Sequence, residues 1–83
     1  MRNYNAKRWL RLAESFLGVT HVIVIRDPSG NPYPRLVRHY EDVQEVAKMY
    51  GYPKPFHQQE VLEVFNLNLP ISEQLNQERC IQW

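Results

Sequence analysis

The run Val19-Thr20-His21-Val22-Ile23-Val24-Ile25 constrains the chain more than any other feature. Every position except His21 is β-branched, which restricts χ1 and suits a pleated surface better than a helix. Apolar side chains at consecutive positions predict a mostly buried strand. Behind it, Asp27-Pro28-Ser29-Gly30-Asn31-Pro32 carries a capping carboxylate, a fixed φ and candidates for positive φ, the chemistry of a reversal. The chain returns through Tyr33 to Tyr40, so residues 19–40 read as a β-hairpin. Pro32 and Pro34 lack amide donors, so they place the return strand at a sheet edge or confine its regular part to Arg35 onward. If the reversal centres on Gly30, His21 faces His39 across the strands.

Helical patterns flank the hairpin. Counting from Ala6, the apolar positions Ala6, Trp9, Leu10, Leu12, Ala13, Phe16 and Leu17 fall within an arc of about 160°. Tyr4, Lys7, Arg8, Arg11, Glu14 and Ser15 take the opposite arc. Asn3 or Asn5 can accept from the first free amides and Gly18 can stop the helix, so residues 1–18 read as an amphipathic basic helix. In residues 41–51, Val43, Val46, Ala47 and Tyr50 share one side and Gly51 ends a second helix. Tyr52-Pro53-Lys54-Pro55 is a stiff connector. A third helix is expected over 55–69, with Val61, Leu62, Val64, Phe65 and Leu69 against Gln59, Glu60, Glu63 and Asn66. The alternation from Phe65 to Ile71 leaves its end open. Residues 70–83 form a tail without a definite pattern, in which Ser72 can start a short helix and Ile81 and Trp83 either fold back or meet a partner.

The expected fold is therefore α+β, one small domain over residues 1–83 in the order α-β-β-α-α, a β-hairpin packed by two or three helices on one face. At 83 residues there is room for one core. A single cysteine, Cys80, excludes an intramolecular disulfide and points to a reducing, cytoplasmic setting. The longest aliphatic run, Val22 to Ile25, is far shorter than the roughly 20 residues of a membrane span. The basic N-terminal pattern is also one that transit peptides share.

Charge is the uneven feature. Residues 1–40 hold seven Lys and Arg against two Asp and Glu, a net +5, and residues 41–83 hold three against seven, a net −4, within a chain of net +1. Six of the seven early cations are arginine, whose planar fork engages carboxylate or phosphate at two points. Internal neutralisation by the acidic half is one reading. The other is a binding face built from Lys7, Arg8, Arg11, Arg35 and Arg38, anchored by Tyr33 or Tyr40. Its expected partner is an acidic protein surface or a multiprotein complex, with nucleic acid as the alternative ligand of the same face. Self-association through the edge strand 33–40 or the tail residues Ile81 and Trp83 is a further expectation.

Catalytic signatures are missing: no Gly-x-Gly-x-x-Gly, Walker loop, His-Glu-x-x-His or Gly-x-Ser-x-Gly occurs. A small enzyme would have to use His39 or His57 as general base. A metal shared by His21 and His39 would need a third ligand far along the chain, and Glu60 with Glu63 reads as a solvated helix face. No catalytic residue, metal or cofactor is assigned. The expected function is stoichiometric binding to a larger macromolecule, of adaptor, subunit or inhibitor type.

Overall fold

The structure, a computed structural model, describes residues 2–83; Met1, the first residue of the expected basic helix segment, lies outside the described residues. In chain order the elements are α1 (Ala6–Glu14), β1 (Val19–Arg26), β2 (Pro32–Arg38), α2 (Val43–Met49), β3 (Glu60–Asn66) and α3 (Ile71–Leu75). The three strands form one antiparallel sheet in the order β2-β1-β3, so the β-branched run occupies the centre. A central strand apolar at consecutive positions must be covered on both sides. Val22 and Val24 pack with Ala6, Leu10 and Ala13 of α1 and with Phe65 and Cys80, while Ile71 and Leu75 of α3 close the same side. Ile23 and Ile25 pack on the opposite face with Val46 and Ala47 of α2 and with Val37, Val61 and Val64. The fold class is α+β, with helices on both faces instead of one.

The third helix expected over 55–69 is a strand. A bulge in β3 explains the misleading pattern: Val24 pairs with Glu63 but Ile25 pairs with Val61, so Leu62 is an extra residue. The inserted residue breaks the alternation, and Val61, Leu62, Val64 and Phe65 acquire the i, i+1, i+3, i+4 spacing of a helical stripe. The order is thus α-β-β-α-β-α. Alternation from Phe65 puts Glu63 on the α1 side of the sheet, where it is 2% exposed and not on a solvated face, while the bulge turns Val61 to the α2 side.

Glu63 is held from three directions. The Arg2 guanidinium forks onto both its oxygens, Nε to Oε1 at 2.6 Å and Nη2 to Oε2 at 2.8 Å. The Tyr4 hydroxyl donates to Oε1, and the Cys80 amide donates to Oε2 at 2.9 Å. Arg2 continues to the carbonyls of Leu75 at 2.9 Å and Gln77 at 2.8 Å and lies over the Phe65 ring. One carboxylate therefore ties residues 2–4 and the segment after α3 to the same strand. Burial and the bond to Glu63 push the Tyr4 hydroxyl's pKa well above its ordinary value. Cys80 is pushed up to about 11 by burial and by the neighbouring Glu63 charge, which keeps its thiol protonated and unreactive.

The hairpin centres on Ser29, so each β1 residue meets a partner two residues earlier than in a hairpin centred on Gly30. Ile23 pairs with Arg35 and His21 with Val37, and a bulge at Thr20 separates these pairs from Val19 opposite Arg38. His39 lies past the strand, so the expected His21 and His39 pairing does not form. Among the described residues no group of three His, Cys, Asp or Glu side chains could hold a metal ion. Among the same residues no helix is long and apolar enough to cross a membrane.

Breaking a buried ion pair at one partner typically costs about 3–5 kcal/mol. Glu63→Gln is expected to lower unfolding stability by that order in urea titration, and a loss below about 0.5 kcal/mol would remove Glu63 from its central role. Gly51 sits at φ +106°, and a Cβ there would lie 2.3 Å from the Gln59 carbonyl oxygen. Gly51→Ala is therefore expected to cost more than about 2 kcal/mol, against about 1 kcal/mol for Gly30→Ala, where nothing lies within 4 Å.

Candidate interaction surface

Helix α1 is shorter than its apolar arc suggests. The Asn5 side chain accepts from the Arg8 amide at 3.1 Å to start it, and it ends at Glu14 with the Ser15 hydroxyl donating to the Leu12 carbonyl. Only Ala6, Leu10 and Ala13 are buried along it. Leu12 stands at the edge of the arc and is 49% exposed, and Phe16 and Leu17, beyond the helix end, are 44% and wholly exposed. These three were expected in the core. A helix of nine residues over a three-stranded sheet buries a narrow stripe, and the early stop turns Leu17 out of it.

Lys7, Arg8 and Arg11 stand exposed on the outer side of α1, one turn apart or adjacent, and with Asn5 line a shallow groove. Among the described residues none of the three has a carboxylate within ion-pair distance. Arg38 joins them at the helix end, its guanidinium 5.9 Å from the centre of the Phe16 ring. Tyr40 is 78% exposed and meets His39 edge-on, while the His39 amide donates to the Gly18 carbonyl at 2.8 Å. The α1–β1 and β2–α2 connections thereby form one end of the molecule. Helix α1 runs away from that end, with Arg11 in its last turn and Lys7 and Arg8 in its first, and Arg38 and Tyr40 belong to it.

Arg35 and Tyr33 do not. Residues 35 and 38 are three apart in β2, so they leave the sheet on opposite faces. Arg35 lies on the α2 side over the Tyr50 ring and clasps Glu41, Nη2 to Oε2 at 2.8 Å and Nη1 to Oε1 at 3.2 Å. Tyr33 packs beside the α2-side core and donates to the Gln59 side chain at 3.1 Å. The acidic half neutralises Arg26 as well, through Glu60 at 2.7 Å. Internal pairing thus takes Arg2, Arg26 and Arg35 and leaves the α1 cations and Arg38 facing outward.

The two segments considered for self-association are occupied within the chain. Along β2, Pro32 and Pro34 offer no amide, Arg35 Nη1 donates to the Leu36 carbonyl, and the Arg38 amide donates to Glu41 Oε1 at 2.9 Å. The tail folds back along β3. Val64 N–H donates to Cys80 at 2.8 Å and Gln82 N–H to Val64 at 2.9 Å, giving a short parallel bridge. Arg79 donates to the Leu62 and Val61 carbonyls at 3.0 and 3.2 Å, and Gln74 both accepts from and donates to the Asn66 backbone at 2.8 Å. Ile81 packs on the α2-side core, Trp83 meets Tyr52 edge-on at 5.1 Å, and His21 Nε2–H donates to the Trp83 carbonyl at 2.6 Å. His57 occupies an exposed turn at φ +52° against the Phe56 ring.

Glu41 accepts from Arg35 and from the Arg38 amide, which pull its pKa from the ordinary 4.5 to about 2. Its folded pKa is below the unfolded one, so the contact stabilises fully above about pH 5 and is lost as pH falls through about 2. Glu41→Gln should lower the melting temperature at pH 7, by up to about 8 °C for a partly exposed pair worth at most about 1 kcal/mol. The variant and natural curves should converge towards pH 2; curves that stay parallel would dissociate Glu41 from acid stability. Comparison of the chain with protein-family models, with curated proteins and with solved structures finds no match, so the functional reading rests on its own residues.

Proposed function

We propose that the protein acts by stoichiometric binding to a larger acidic protein or complex, through the outer side of α1 that carries Lys7, Arg8 and Arg11 and the adjoining end that carries Arg38 and Tyr40. The observation that supports the reading is the separation of two classes of cation. Arg2, Arg26 and Arg35 have carboxylates of their own, whereas the α1 cations face solvent without one. Exposed cations speed encounter with an oppositely charged surface, and a guanidinium fork orients carboxylates at two points. The same cations could meet phosphates. The exposed side chains of Leu12, Phe16 and Leu17 favour a protein, because apolar surface beside a phosphate backbone has nothing to bury against.

Changing Arg8 and Arg11 together to Glu should abolish capture of a protein partner from the native cell, in a pull-down unaffected by nuclease. The fold should tolerate the change, since both side chains are exposed; Arg11 in the last turn favours the helix dipole by no more than about 1 kcal/mol. Capture retained by the double variant, or abolished by nuclease, would overturn the proposal.

A further inference from the structure

Resting on that reading, we infer that Phe16 and Leu17 form an apolar knob that enters a pocket on the partner, and that the pocket is rimmed by carboxylates which meet Arg8, Arg11 and Arg38. Among the described residues Leu17 is the one large apolar side chain with complete exposure, and it stands at a sharp corner where Gly18 takes φ +85°. The corner is firmly held. The Gly18 carbonyl accepts from His39, the Phe16 amide donates to Ala13 at 3.1 Å, and Arg38 lies over the Phe16 ring. A knob fixed by its backbone loses little conformational freedom on binding, which is the condition for a residue that dominates an interface.

Charge selects the occupant. A second copy of this face would set cations against cations, so an isologous dimer is opposed. A uniformly anionic bilayer or duplex would confront Glu14, exposed on α1 one turn before Leu17, and Asp42, exposed two residues after Tyr40. A protein can place acids opposite the cations and neutral or basic groups opposite Glu14 and Asp42. Arg8 and Leu12, four residues apart on α1, line one row leading to the knob. The chemistry that fits is therefore an acidic segment presenting large apolar side chains between its carboxylates.

A random peptide library displayed on phage, selected on the whole protein, tests this. Enriched peptides should combine Asp or Glu with Leu, Phe or Trp. Leu17→Ser, a change at a wholly exposed position, should weaken the best of them at least tenfold in Kd with the melting temperature unaltered. Arg8→Glu with Arg11→Glu should weaken them comparably and flatten their salt dependence. Acidic peptides without apolar residues, or equal affinity for Leu17→Ser, would overturn the knob while leaving the basic face standing. Affinity unaffected by the double arginine variant would overturn the face itself. No enrichment, or tighter association with phosphatidylserine vesicles or a DNA duplex than with any selected peptide, would overturn both.

Discussion

The ion pair between Arg2 and Glu63 joins parts of the chain that local structure cannot join. The two residues are 61 positions apart, and the same carboxylate also takes the Tyr4 hydroxyl and the Cys80 amide. Burying a carboxylate away from water is costly, and the cost is offset only when its lone pairs are filled and its charge is answered. Here two guanidinium N–H groups, one phenol and one amide do so. The arrangement fastens the segment before α1 and the segment after α3 to the same strand. The remaining donors of Arg2 take backbone carbonyls past α3, so the guanidinium closes the corner instead of ending in solvent.

A three-stranded sheet in so small a protein has two exposed edges for one protected strand, and the chain covers both with its own groups. On β2 the means are proline, the Arg35 guanidinium and Glu41. On β3 they are the folded tail, the Arg79 guanidinium and the Gln74 amide. Arginine is thereby used in two ways. Arg2, Arg35 and Arg79 bind the protein's own carboxylates or carbonyls, and Arg8, Arg11 and Arg38 have none of these. The asymmetry of charge along the sequence is partly internal glue and partly a surface.

Much of the architecture was legible in the residues. The β-branched run, the Asp27 to Pro32 reversal, the edge prolines, and the helices over Ala6–Glu14 and Val43–Met49 all follow from local preferences: χ1 restriction, fixed φ, missing amides and apolar spacing. β3 was not legible. One bulged residue at Leu62 converts a period of two into a helical spacing, and no local signal separates the two when a segment is short. The outward face of α1 was half legible: its cations were evident, but Leu12, Phe16 and Leu17 fall on the apolar arc of a helix over residues 1–18, and α1 stops at Glu14. The hydroxyl of Ser15, able to close the helix early, was the available signal.

By itself the sequence determined which segments are stiff, which must turn, which must be buried and where opposite charges are concentrated, because these depend on each residue and its near neighbours. Only the tertiary structure decided which charges meet. Glu63 became a buried hub and not a solvated face, Arg35 parted from Arg38, and Leu17 stayed outside. Each outcome depends on strand register and on the face to which a side chain is turned, and a shift of one residue in β-structure reverses that face.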